Sequence, residues 1–82
     1  MSYEKVKQAK RTSIGTKQTL KAIQNGDALE VVIADDADPY VVEPIRRLAI
    51  EKQLSVCTVD SMKRLGKVCG IDVGATAVAI KR

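Results

Sequence analysis

The run Gly15-Thr16-Lys17-Gln18-Thr19-Leu20-Lys21 has the most suggestive spacing in the chain. A glycine at a helix start leaves backbone N–H groups free to approach a phosphate. At about 100° per residue, Leu20 and Ile23 share one helical face with Thr19 beside them, and Lys17, Gln18 and Lys21 lie on the other. Lysine can donate to guanine O6 and N7, and a glutamine amide both donates and accepts at a base edge. An amphipathic helix with a solvated polar face fits the same pattern. The physics of this segment alone leaves the two readings balanced.

Asp35, Asp36 and Asp38 form a second cluster, after an apolar run. Many α/β proteins place ligands at such a position. Three carboxylates could hold Mg²⁺ and serve a metal-dependent phosphate-ester hydrolase. Against that, Asp38-Pro39 reads as a helix N-cap followed by proline at the first helical position. Asp35 and Asp36 then become solubilising loop residues near a helix N-terminus. No histidine, nucleophile–base pair or phosphate-binding Gly-Lys loop accompanies them, so the expectation is no catalytic residue, metal, cofactor or small-molecule substrate. Gly66, Gly70 and Gly74 do not make a dinucleotide fingerprint, because they close a helix and precede a strand. Gly66 and Gly70 read as a helix C-terminus and turn, while Gly74 leaves room for close backbone approach. Cys57 and Cys69 lack metal-ligand spacing and read as free thiols, Cys57 as a small buried hydrophobe in a strand.

The elements that must position these residues alternate along the chain. Residues 2–10 read as a basic helix with Val6 and Ala9 inward. Residues 11–14 are a short strand or link. The helix opening at Gly15-Thr16 runs to about Gln24 and stops at Asn25-Gly26. Residues 29–34 are apolar and β-branched, a strand buried on both faces. A helix follows from Pro39 to about Lys52, burying Val41, Ile45, Leu48 and Ala49. Pro44 should kink it or delay its start. Residues 54–59 are a strand, Asp60-Ser61 caps a helix near 61–68, residues 70–75 form a Gly-bounded loop, and 75–80 are a last strand. This alternation predicts an α/β fold with helices on both faces of a central sheet.

The 82 residues predict one domain. Hydrophobic residues at 45% and charged residues at 29% suit a folded protein. Phe and Trp are absent and only Tyr3 and Tyr40 are aromatic, so base stacking on aromatic platforms is excluded. Net charge is +5 over residues 1–26, −5 over 27–60 and +4 over 61–82. Two basic segments folded to one side would attract polyphosphate. No apolar run approaches the roughly 20 residues of a membrane span, and none marks a secretory leader; a cytoplasmic, monomeric protein is expected.

The segments GTKQTLKAIQNG, VVIADDADP and CGIDVGATAVAI occur in this order in the kink-turn-binding ribosomal-protein family. The chain resembles that family over essentially its whole length. The resemblance implies a three-layer α/β/α sandwich with a mixed four-stranded sheet, residues 11–14 supplying the fourth strand. It also implies binding to the kink-turn, a sharply bent RNA element with a bulge beside tandem sheared G·A pairs, in ribosomal RNA, a riboswitch or a processing RNA, with the ribosome as a candidate host. Lys17, Gln18 and Lys21 would then read guanines in a widened major groove, with Gly15 and Thr16 by the backbone. Ile71, Asp72, Val73, Gly74 and Ala75 match the apolar loop that packs on the bulged nucleotides. Many members carry Asn-Glu where this chain has Lys17-Gln18. Gln accepts only through a neutral carbonyl, so base-specific hydrogen bonding should weaken, partly offset by the Lys17 charge. A protein–protein adaptor of the same fold is the alternative, and a large exposed apolar patch would favour it.

Overall fold

Four consecutive residues, Val31, Val32, Ile33 and Ala34, are at most 1% exposed. Successive strand side chains point to opposite faces, so a strand buried at every position must be covered on both. The computed structural model, which describes residues 3–82, supplies that cover. Its elements are α1 (Tyr3–Gln8), β1 (Thr12–Ile14), α2 (Thr16–Gln24), β2 (Ala28–Ala34), α3 (Pro39–Glu51), β3 (Ser55–Val59), α4 (Met62–Val68) and β4 (Ala77–Lys81). Residue 2, where the first helix was expected to begin, lies outside the described residues.

The sheet order is β1-β4-β2-β3. β4 pairs antiparallel with both β1 and β2, and β2 pairs parallel with β3. A parallel pair needs a crossover, and α3 provides it. α2 and α3 pack together over one face, while α1 packs with α4 over the other. The result is the mixed four-stranded α/β/α sandwich. Each fully buried Val or Ile at its centre contributes about 1.5–3 kcal/mol relative to exposure.

Several local expectations need correction. Strand β2 is not buried at every position: Ala28 is, but at the register irregularity between Ala28 and Glu30 the Leu29 side chain is half exposed. On α3 the buried stripe is Val42, Ile45 and Ala49, while Val41 and Leu48 are only half-buried. Adjacent valines gave no basis for choosing which sits at the centre. Pro44 neither stops α3 nor delays its start. It removes the N–H that would have met the Tyr40 carbonyl, but both residues lie on the exposed face, where water can satisfy that oxygen.

Cys57 is not a simple buried hydrophobe either. Its thiol donates to the Glu30 carboxylate at 3.0 Å, and the Lys5 ammonium donates to the same oxygen at 2.9 Å. These contacts dock α1 on the sheet. Lys5, and then the Cys57 thiol, hold the Glu30 carboxyl below its ordinary value. Burial pushes the Cys69 thiol up, which keeps it in its unreactive form. Tyr3, buried at the start of α1, donates its hydroxyl to Asp60 and accepts the Ser61 N–H at 3.1 Å. Burial, then the bond to Asp60, raises the Tyr3 hydroxyl above its ordinary value.

Helix α3 ends with Gln53 at φ 60°, a left-handed conformation. Gln53 donates its N–H to Ile50 O at 2.9 Å and Leu54 donates to Ala49 O at 2.9 Å, closing the helix. Glycine takes this conformation without the Cβ penalty. Gln53→Gly should therefore raise unfolding free energy by about 0.5–1 kcal/mol in chemical denaturation; a loss would show that the glutamine side chain, not the backbone, sets the local balance. Glu30 generates a pH prediction. Its folded pKa is depressed, so its contribution is present above the ordinary carboxylate range and is lost as pH falls through the folded value. The stability gap between the protein and its Glu30→Gln variant should narrow in acid. Parallel stability curves from neutral pH down would contradict this.

Candidate nucleic-acid interface

At one end of the sheet, the C-terminal ends of β1, β2 and β3 meet the start of β4. Ile14 pairs with Val78, Ile33 with Ala77, and Ala34 with Val59. The start of α2, the connections 35–38 and 60–61, and the loop 70–76 therefore share this end.

Gly15 is the hinge on which α2 leaves the sheet. Its φ of 98° and ψ of 168° lie in a region essentially restricted to glycine. Its N–H donates to Ala77 O at 2.8 Å, so the chain turns straight from strand pairing into the helix. The hydroxyls of Thr16 and Thr76 lie 2.6 Å apart, pinning the helix start to the lead-in of β4. Thr19, Ala22 and Ile23 face inward and Leu20 is half-buried, so Lys17, Gln18 and Lys21 stand exposed together. The helical spacing placed all of them as the structure does.

Helices α3 and α4 also begin at this end, and both are capped by side chains. Asp38 accepts the Tyr40 N–H at 2.9 Å on α3. On α4, Ser61 accepts the Arg64 N–H at 3.2 Å and Asp36 accepts the Met62 N–H at 2.8 Å. Among the described residues no side chain caps α2. The acidic loop thus commits two of its three carboxylates to helix starts. Asp36 does so across 26 residues, a link beyond local pattern reading. α2 is left with amides open to an anion and cations on its outer face.

The second site segment arches over α4. Asp72, Val73 and Gly74 are exposed, Val73 by 70%. Ile71 is half-buried against the core. Ala75 departs from its neighbours: it is 2% exposed and its N–H donates to Met62 O at 3.0 Å. Its side chain holds the loop down and offers no surface, because β4 begins at Ala77 and the chain has already turned inward by Ala75. Gly66 was expected at a helix end, but it lies within α4. A Cβ there would overlap the Val73 carbonyl oxygen, so glycine is what lets the loop rest on the helix. Gly70, just past the end of α4, does fill the turn role, with φ 81°. Sequence reasoning also missed Thr76 and Met62 as supports, and Lys63 and Lys67 as neighbours of the loop. The spacing of the two lysines on the helix before the loop was the available signal.

Elsewhere, an open groove of about 570 Å³ runs between α2 and α3 along Leu20, Tyr40, Pro44 and Leu48. Glu43, Arg47 and Glu51 also line it, so it is not a continuous apolar patch. Among the described residues no group of three or more His, Cys, Asp or Glu could hold a metal ion, and no helix is long and apolar enough to cross a membrane.

The sequence profile of the ribosomal protein L7Ae/L30e/S12e/Gadd45 family matches residues 2–82. The chain belongs to this family. It is 60% identical over 82 residues to RNA-binding protein BH0128 of Halalkalibacterium halodurans, with all of both chains covered. It is 55% identical over 82 residues to RNA-binding protein YbxF of Geobacillus stearothermophilus, again covering both completely. Among solved structures, the Giardia lamblia 15.5kD RNA binding protein superposes with a TM-score of 0.87 at 28% identity, over 98% of this chain and 70% of that one. These relatives are named as RNA-binding proteins, and this L7Ae-family chain is not an enzyme.

Gly66 tests the loop's support directly. Gly66→Ala should lower stability by about 1–3 kcal/mol through overpacking against the Val73 carbonyl. Amide chemical shifts should change over 71–75 more than at equally near positions on α1. A stable variant with unshifted loop amides would show that the loop does not depend on this contact.

Proposed function

We propose that this L7Ae-family protein binds structured RNA and recognises the kink-turn, with all 82 residues acting as one RNA-binding domain. The observation that carries the reading is the α2 start. It is an uncapped helix N-terminus with Lys17, Gln18 and Lys21 exposed beside it, sharing one end of the sheet with an exposed apolar loop. The names of the relatives, each an RNA-binding protein, support the same reading.

In this reading the first turn of α2 meets the RNA backbone through the amides after Gly15 and through Thr16. Lys17 supplies charge to phosphate, and Gln18 and Lys21 reach guanine edges in the groove widened at the sheared pairs. Ile71 and Val73 give the bulged nucleotides an apolar surface, with Asp72 and Gly74 at its rim and Ala75 supporting it from beneath. Recognition is by shape and a few base contacts without aromatic stacking. The protein acts as a monomer in the cytoplasm on ribosomal or regulatory RNA.

Lys21→Ala separates base reading from general basicity. It should cost about 1–3 kcal/mol on a kink-turn, the worth of a good base contact. The loss should be much smaller on a control RNA whose G·A pairs are replaced by Watson–Crick pairs. Binding titrations on both RNAs at matched salt make the comparison. Equal losses on the two would reduce the protein to a nonspecific basic RNA binder.

A further inference from the structure

Helix α4 carries three cations, Lys63, Arg64 and Lys67, and the structure divides them. Arg64 turns toward α1. Its guanidinium lies 4.9 Å from the centre of the Tyr3 ring and 3.7 Å from the Asp60 carboxylate. Lys63 and Lys67, one helical turn apart, line the other side of the helix. Together with Ile71, Asp72 and Val73 they enclose a groove of about 270 Å³. Both lysines are exposed, and among the described residues neither forms an ion pair.

The loop lies between two basic helices. On one side Thr76 meets Thr16 at the start of α2; on the other Ala75 and Gly74 rest on Met62 of α4. The surface therefore runs from the α2 cations, across exposed Val73, to the α4 lysines. An RNA strand laid against Val73 from α2 would pass directly into the groove. Two ammonium groups beside an apolar wall complement a polynucleotide backbone. A protein partner would have to bring its own acidic residues to the same place. The volume lies below that of pockets that enclose a free small molecule, which suits one segment of a chain anchored elsewhere.

We propose that Lys63 and Lys67 form a second phosphate-binding subsite, which holds the RNA backbone where it leaves the apolar loop. This rests on the RNA-binding reading and extends its footprint from α2 to α4. Asp72, on the loop side of the groove, opposes the phosphate and limits affinity at this subsite.

The test compares two double variants of equal charge change, Lys63→Ala/Lys67→Ala and Lys7→Ala/Lys10→Ala. The second pair lies toward the far end of the sheet, because Tyr3 at the start of α1 bonds Ser61 and the helix then leads to β1 at the pairing of Thr12 with Ile80. Exposed lysine-to-alanine changes should leave the fold intact, checked by thermal melting. Affinity for a kink-turn RNA is measured at several salt concentrations. Removing Lys63 and Lys67 should lower the slope of log affinity against log salt by roughly 1.4–1.8, two contacts' worth, and weaken binding on the order of tenfold or more near 0.1 M salt. Removing Lys7 and Lys10 should leave the slope nearly unchanged, and Asp72→Asn should tighten binding. An unchanged slope for the first variant, or equal changes for both, overturns the subsite. Failure of the unaltered protein to prefer the kink-turn over its Watson–Crick control would instead overturn kink-turn recognition, and leaves the slope comparison on either RNA to judge the subsite.

Discussion

The residues leading into β4 hold the candidate interface together. Ala75 N–H donates to Met62 O on α4, Ala34 N–H at the end of β2 donates to Thr76 O, and Gly15 N–H at the start of α2 donates to Ala77 O. The Thr16 and Thr76 hydroxyls add a side-chain link. Each such bond contributes only about 0.5–1.5 kcal/mol net, but together they fix α2, the sheet end and α4 relative to one loop. The loop cannot move without disturbing both basic helices. A surface that reads RNA by shape requires that rigidity, because its contacts must arrive in register.

Charge is distributed to the same end. The acidic middle of the sequence places Asp38 and Asp36 on the starts of α3 and α4, where the helix dipole favours a carboxylate. Their negative charge is thereby tied into caps. α2 receives no such cap and begins instead beside Lys17 and Lys21. A helix start that would be a defect in an isolated protein becomes a feature once a phosphate can supply the missing acceptor. Lys5 is occupied by Glu30 and Arg64 by Asp60 and Tyr3, so not every lysine or arginine of the basic segments is equally available.

Much of the fold was legible in the sequence, and the reasons are local. β-branched runs marked β2 and β3, and Asp38-Pro39 and Ser61 marked helix starts, because caps and strand propensity act over a few residues. The polar face of α2 followed from helical period alone. The ligand proposed for that face did not, and that proposal rests on resemblance to a family. Features set by distant contacts were not readable. Cys57 meets Glu30 and Lys5 only after folding, and Thr16 meets Thr76 across 60 positions. Gly66 looked like a helix end because glycine often closes helices, yet its missing side chain leaves room for a loop carbonyl from beyond the helix. Ala75 looked like part of the apolar loop, although burial places it beneath.

The central claim is that RNA meets the end of the sheet where α2 begins and the 71–74 loop is exposed. Backbone amide shifts of the labelled protein, followed by NMR during titration with a kink-turn RNA, test it most directly. The account predicts the largest changes at 15–21, 63–67 and 71–74, with small ones along the α2/α3 groove at Tyr40, Glu43 and Arg47. Changes centred on that groove, or on the far end near Arg11 and Arg82, would contradict it.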